Sequence, residues 1–373
     1  MDKKKILIVS RSFYPENSPR SFRTTELAKE FARQGHQVSI ILPERTFDME
    51  TFKSSYPNIS IKEFGPLKFK PVILKGNGLL RLIRKIIQRT GALLFEYPDI
   101  QLLFQLPKVL IKGFGFDLLI SIAAPHPVHW GVSRAIKKNP DLTKIWVADC
   151  GDPYMGVTLE TFRKPFYFKY FEKDFCRRAD FITVPTEGAT DAYYPEFRKK
   201  IKIIPQGFDF SETLKENNGI NNEVPTFAYA GSLATKGVRC PFLVLEYLKT
   251  VKQDFRFHIF SGAVNGILSG YKPSFGGKLI VHEKLDRLLL LNELKKMDFL
   301  VNFDNGTSKQ LPSKLIDYAL TQRPILNIYP LNPDYTLFDQ FLKQDYSRQY
   351  YVNNLERYNI KNVVSEFIQL AKK

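Results

Sequence analysis

The sequence predicts two doubly wound α/β domains in tandem, and three observations carry that prediction. Short apolar runs alternate with amphipathic stretches of helical spacing. The alternation breaks at a polar segment over 207–224 and then restarts. The chain has 373 residues, and one domain takes roughly 100–200.

The first half reads as strands over 6–10, 38–42, 117–122, 145–149, 181–185 and 202–204. A helix over 21–34 carries Leu27, Ala28 and Phe31 on one face and stops at Gly35. Further helices fall near 127–138 and 163–178. The second half reads as strands over 227–230, 255–260, 279–281, 299–303 and 325–328, with helices over 241–252, 288–296 and 314–321. A closing helix is expected over 355–373. Such alternation implies βαβ units and parallel sheets buried on both faces. The expected domains are 1–205, a hinge over 206–224, a second domain over 225–350 and the closing helix within 351–373.

Composition narrows the function classes. A hydrophobic fraction of 44% excludes wholesale disorder. Cys150, Cys176 and Cys240 lie far apart with no zinc spacing, so a reducing cytosolic compartment is expected. The opening apolar run is too short for a signal peptide, and no uncharged run approaches the roughly 20 residues of a spanning helix. A soluble or peripheral protein is expected.

The formal charge is +17, and it is lopsided. Residues 1–205 hold 34 basic and 21 acidic side chains, whereas 206–373 hold 21 and 17. Within 66–112, nine basic residues face only Glu96 and Asp99. Leu79, Leu82, Ile83, Ile86 and Ile87 make one helical stripe; Arg81, Arg84 and Lys85 lie opposite, with Arg89 following. Two readings stand side by side: a helix packed into the core with a solvated basic face, or a helix lying on an anionic bilayer. Nucleic acid is the weaker partner, because no recognised module or stacking motif accompanies the charge.

Four segments carry chemistry. Gly231-Ser232 followed by Lys236-Gly237 leaves a strand, so backbone amides and a cation can meet an anion. Pro312-Ser313-Lys314 opens a helix with Asp317 one turn in, where a carboxylate can accept from vicinal hydroxyls. His126 and His129 follow a strand at its carboxyl end, where open α/β sheets bind ligands, and His126 is the better candidate. Asp149 and Asp152 follow another strand, and either can bind an acceptor hydroxyl. Each segment alone is equally an ordinary turn or cap.

Taken in order, these segments resemble the retaining glycosyltransferase family 4, of GT-B fold. The resemblance runs through Phe13-Tyr14-Pro15-Glu16, Leu27-Ala28, Gly35-His36-Gln37-Val38, Asp149 to Pro153, Ile204-Pro205-Gln206-Gly207, Gly231 to Gly237 and Pro312 to Tyr318. It implies two Rossmann-like doubly wound parallel-sheet domains facing each other across a cleft. The N-terminal domain would bind the acceptor and the C-terminal one a UDP-, GDP- or similar nucleotide-sugar, closing about 205–209. It also implies roles. Gly231, Ser232, Lys236, Pro312, Ser313, Lys314 and Asp317 would bind the donor. His126, Lys236 and Asp152 would be catalytic, and no metal or separate cofactor is expected. The acceptor would be a glycan or polyprenyl-linked glycan at the inner face of the membrane, with Arg81, Arg84, Lys85 and Arg89 on the membrane side.

The sequence departs from the family's pattern at four places. Asn17-Ser18-Pro19 stands where the first loop usually has a glycine pair, Gly151 where an arginine is usual, Ser232 replaces the donor-loop arginine, and Lys309 replaces a frequent glutamate. A non-catalytic GT-B scaffold, or a nucleotide-sugar 2-epimerase, therefore stays open as an alternative activity.

Overall fold

The computed structural model describes residues 2–16, 18–44, 47, 49–112, 114–156, 163–211, 222–262, 268–304, 306 and 313–372. The chain divides into two units: Met1–Phe208 with Tyr358–Lys373, and Asp209–Arg357.

The N-terminal unit is built on seven strands: β1 (Lys5–Val9), β2 (Gln37–Leu42), β3 (Ile59–Glu63), β4 (Phe116–Ala123), β5 (Thr143–Cys150), β6 (Phe181–Val184) and β7 (Ile201–Ile203). All are parallel, in the order β3-β2-β1-β4-β5-β6-β7. The order reverses between β1 and β4, which makes a topological switch point there. Ile6, Leu7, Ile8 and Val9 are all buried, so β1 contributes side chains to both faces. That is why its sequence is a continuous apolar run and not an alternating one.

Helix α1 (Pro19–Arg33) follows β1. Its Ser18 cap accepts from the Ser21 amide, and Pro19 opens its first turn. The short α2 (Glu50–Ser55) precedes β3, and α3 (Gly78–Phe95) and α4 (Leu102–Leu110) follow it. Helix α5 (Pro127–Lys138) joins β4 to β5, and α6 (Phe168–Arg178) joins β5 to β6. Two buried clusters flank the sheet, one around Trp130, Trp146 and Phe175, the other around Phe13, Phe31 and Val38.

The C-terminal unit has a five-stranded parallel sheet. Its strands are β8 (Thr226–Ala230), β9 (Arg256–Phe260), β10 (Leu279–His282), β11 (Phe299–Phe303) and β12 (Ile325–Ile328), ordered β10-β9-β8-β11-β12. Helices α7 (Phe242–Thr250), α8 (Arg287–Leu294), α9 (Ser313–Leu320) and α10 (Tyr335–Leu342) connect or follow them. The reversal here lies between β8 and β11. Phe227 stacks on Phe257 and Phe299 at 4.7 and 4.6 Å, which fixes the middle of the sheet.

The chain ends in α11 (Ile360–Leu370), which packs on the N-terminal unit. The single closing helix expected over 355–373 is instead a short 3-10 turn over Leu355–Tyr358 followed by α11. Asn359 breaks them apart, because its side chain accepts from the Lys361 amide and caps the second helix.

The core-packing reading of α3 is overturned. None of its residues is buried. Its apolar stripe points outward, with Leu79 73% exposed and Leu82, Ile83, Ile86 and Ile87 all exposed. Arg84 and Gln88, from the opposite face, are half-buried, as are Leu93 and Leu94 near the end of the helix, and Arg84 donates to the Lys75 carbonyl. Amphipathic spacing reveals that two faces exist; it does not say which one turns inward.

Candidate functional site

In the N-terminal unit the candidates gather at the carboxyl ends of β4 and β5. His126 and His129 sit three residues apart there and fare differently. His129 uses both ring nitrogens: Nδ1 lies 2.8 Å from Ser121 Oγ and Nε2 3.4 Å from Cys150 Sγ. Trp146 Nε1 donates to the same Ser121 hydroxyl. Burial pushes the His129 imidazole down to about 3, so it is a neutral core residue. His126 is 6% exposed and its Nε2 has no hydrogen-bond partner among the described residues. Burial also pushes its pKa far below the ordinary value, with His129, Lys164 and Arg20 adding to the fall. The ring packs against Tyr154 at 4.6 Å.

The two aspartates separate in the same way. Asp149 is buried and consumed by structure. Arg23 Nε and Nη2 donate to its two oxygens at 3.0 and 2.8 Å, and Thr183 Oγ1 adds a bond at 2.7 Å. Burial alone would raise its pKa; the charges of Arg23 and Arg20 and the hydrogen bonds outweigh burial and hold it low. Asp152 is exposed just beyond the strand. Its backbone hydrogen-bonds the His126 ring.

In the C-terminal unit the loop after β8 and helix α9 meet at the β8–β11 switch point. Tyr318 on α9 ties them: its hydroxyl accepts from the Ala230 amide at 2.7 Å and reaches the Ala230 carbonyl at 3.3 Å. Gly231 follows with φ 145°, a conformation that favours glycine. Beyond it Tyr229 donates to the Ser232 carbonyl at 3.0 Å. The loop closes on itself through Ala234 to Arg239 and Cys240 to Gly237 backbone bonds. Ser232 and Lys236 are exposed on it.

Lys314 lies in the first turn of α9 with its ammonium 4.5 Å from the centre of the Tyr229 ring. Burial pushes its pKa down to about 7; Arg239 adds to the fall and Asp304 opposes it. Asp317 is held by Arg287, whose Nε and Nη2 lie 2.9 and 2.8 Å from Oδ1. Burial raises the Asp317 carboxyl, and Arg287 restrains the rise. Pro312, Lys309 and the Ser313 side chain lie outside the described residues. Among the described residues, no three His, Cys, Asp or Glu side chains gather as metal ligands would.

Sequence reasoning missed three groups: Arg287 behind Asp317, Tyr318 behind the donor loop, and Arg20 beside Gly151. None carries a local signal, since each acts on a residue at least thirty positions away.

A family model described as Glycosyltransferase Family 4 matches residues 22–212, just over half of the chain. A comparison with curated proteins gives no match. Among solved structures, a glycosyltransferase from Rickettsia africae ESF-5 superposes with a TM-score of 0.65 at 11% identity, covering 100% of this chain and 98% of that one. The lipopolysaccharide outer core galactosyltransferase WaaB, in its apo form, gives 0.61 at 11% identity over 98% of both chains. Alr3699/HepE from Anabaena, solved in complex with UDP, gives 0.59 at 9% identity over 99% and 97%. At such identities the structures speak for the fold, and two parallel switch-point sheets in one chain are what these enzymes share with it. With the family model matching the N-terminal unit, the chain belongs to glycosyltransferase family 4 and is a glycosyltransferase of GT-B fold.

Proposed function

We propose that this glycosyltransferase moves a sugar, with retention and without a metal, from a nucleotide-sugar to a glycan or lipid-linked acceptor. The site of action is the inner face of a bacterial membrane, in surface polysaccharide synthesis. The observation that carries the donor reading is the convergence at the β8–β11 switch point. There Tyr318 ties the loop of Gly231, Ser232 and Lys236 to α9, which carries Lys314 and Asp317. Amides and cations there suit a diphosphate, and the Asp317 carboxylate suits ribose hydroxyls. In the N-terminal unit, His126 is the group for the transferred sugar and Asp152 for the acceptor hydroxyl. A thermal-shift screen of nucleotide-sugars, followed by transfer assays with the best binder, tests the reading. Stabilisation by one donor and formation of product are expected; no response to any nucleoside diphosphate at millimolar concentration would sink it.

Lys314 makes the donor reading pH-dependent. A bound diphosphate favours the ammonium, so it raises a pKa that burial has set at about 7. Binding therefore takes up a proton above about pH 7, and affinity falls as pH rises there. Calorimetry with UDP in buffers of different ionisation enthalpy measures the uptake, and Lys314→Met should abolish it. The same shift has a stability sign. Between about 7 and the ordinary lysine value near 10.4 the unfolded chain binds the extra proton, so the folded state gains stability as pH rises there.

For the membrane reading, the outward apolar stripe of α3 and its basic residues supply the two requirements of an interfacial helix. No helix among the described residues is long and apolar enough to cross a membrane. Each of Arg81, Arg84, Lys85 and Arg89 near an anionic surface contributes about 1 kcal/mol, roughly fivefold in affinity. Vesicle flotation should show binding to anionic lipid that weakens with salt and with neutralisation of these four residues. Equal binding to neutral vesicles would remove the electrostatic half of the reading.

A further inference from the structure

Arg20 stands in the first turn of α1, beyond the end of β1, and its guanidinium lies against Gly151 beyond the end of β5. A Cβ built on Gly151 would come within 2.2 Å of Arg20 Cζ and 2.4 and 2.5 Å of its two terminal nitrogens. No side chain fits at position 151 while Arg20 keeps this place. The resemblance expects an arginine at position 151; here the guanidinium over that position is delivered by α1.

Among the described residues nothing hydrogen-bonds or ion-pairs this guanidinium. Asp149 and Asp152 act on it through space, but neither hydrogen-bonds it, and Asp149 is already engaged by Arg23 and Thr183. Arg20 is half-buried, and burial is the main reason its charged form is disfavoured. Such a cation is suited to an anion that the protein itself does not supply.

His126 is the second, independent mark of a ligand. It is 6% exposed and its Nε2 has no partner among the described residues. The other ring nitrogen is used by the Asp152 backbone, and the ring is neutral, so Nε2 presents a lone pair and accepts. Arg20 is close enough to His126 to help lower its pKa, so an acceptor and a cation that is not hydrogen-bonded among the described residues match a hydroxyl and an oxyanion of one ligand. Saccharides offer that combination when they carry a phosphate ester or a carboxylate.

We propose that Arg20 and His126 form a binding site for an acidic saccharide, with Arg20 taking the oxyanion and His126 Nε2 a neighbouring hydroxyl. The proposal rests on the transferase reading for the saccharide's being a substrate, and it adds a charge requirement to that substrate. Gly151 is then a specificity position, since it makes room for the guanidinium.

The test uses the full chain, without nucleotide and without transfer, so its failure is separate from failure of the transferase reading. Both tryptophans lie in the N-terminal unit, and Trp130 packs on Tyr154 at 5.4 Å, which in turn packs on His126. Tryptophan fluorescence therefore reports on this site. Glucose 1-phosphate, glucuronate and glucose are titrated into wild type, Arg20→Gln, Arg20→Lys and Lys278→Ala. At least one acidic sugar is expected to bind, and to bind more tightly than glucose; which one does identifies the oxyanion as phosphate or carboxylate. Arg20→Gln should weaken that binding roughly tenfold or more. Arg20→Lys, which keeps the charge, should lose less, and Lys278→Ala, which removes an exposed cation ion-paired to Asp254, should change nothing. Equal affinity for glucose, an unchanged Arg20→Gln, or a loss in Arg20→Lys as complete as in Arg20→Gln would each overturn the proposal.

Discussion

Replacing Lys236 by alanine lowers kcat by roughly 10²–10³-fold and leaves the thermal midpoint where it was. The two halves of that expectation come from different features. Lys236 is exposed on a loop whose shape is set by backbone hydrogen bonds and by Tyr229, so its side chain holds nothing in place. Its proposed work lies in the reaction, where the nucleoside diphosphate leaves with more negative charge than it carried as an ester. A cation that strengthens its interaction as that charge grows lowers the barrier more than it tightens donor binding. The drop in kcat should therefore exceed the change in donor Kd, with donor affinity weakening by about tenfold or less. Steady-state kinetics and a donor titration on the same preparation decide it. If kcat falls less than about threefold, the leaving group is held by Lys314 and Arg239, the other cations near this loop. A matching loss in Kd and no separate loss in kcat would make Lys236 a binding residue only.

Lys236 also marks the boundary of what the sequence reveals. The strands were legible because a parallel sheet buried on both faces needs unbroken apolar runs, and 299–303 and 325–328 coincide with β11 and β12. The edge strand β3 was not, since most of its side chains are exposed and Ile-Ser-Ile-Lys-Glu carries no such run. Helix α4 was hidden by Pro107, which sits inside it and reads locally as a stop. Helix α10 rests on a cap, Asp334 accepting from the Leu337 amide, that the sequence shows only to a reader who already expects a helix. At the sites the order of motifs gave the chemistry, but the partners that aim each group did not come with it. Arg287 reaches Asp317 across thirty residues, and Tyr318 reaches Ala230 across 88. Those pairings are fixed by sheet order, which no local pattern encodes. The aspartate pair shows the consequence: Asp149 and Asp152 look equivalent in sequence, and only the arrival of Arg23 from α1 makes one of them structural.

That pairing carries a large stability effect. Arg23→Met is expected to destabilise the N-terminal unit by about 3–5 kcal/mol, because it leaves a buried carboxylate without the cation that hydrogen-bonds it, Arg20 acting only through space. Arg23 and Asp149 are each 3% exposed, and the guanidinium also donates to the Pro205 and Ile204 carbonyls at 2.5 and 3.4 Å. It therefore clamps α1, β5 and the chain beyond β7 at one point, with Phe367 of α11 over its face at 5.3 Å. For a unit of this size the loss corresponds to a fall in Tm of roughly 10 °C. Because both tryptophans are in this unit, fluorescence follows its unfolding alone. The pH dependence gives the charge its signature. In the wild type the low Asp149 pKa contributes stability above the unfolded carboxyl value near 3.9, lost as pH falls through the folded value. Without Arg23, burial becomes the dominant influence and raises that pKa, so acidification protonates the carboxyl and relieves the strain. The deficit of Arg23→Met against wild type should thus be largest at pH 7 and shrink by pH 5. The double variant Arg23→Met/Asp149→Leu should recover part of the loss at pH 7, though not all, since Thr183 and the two carbonyls remain unpaired. A deficit under about 1 kcal/mol, or one that does not change with pH, would mean the fold does not depend on this ion pair.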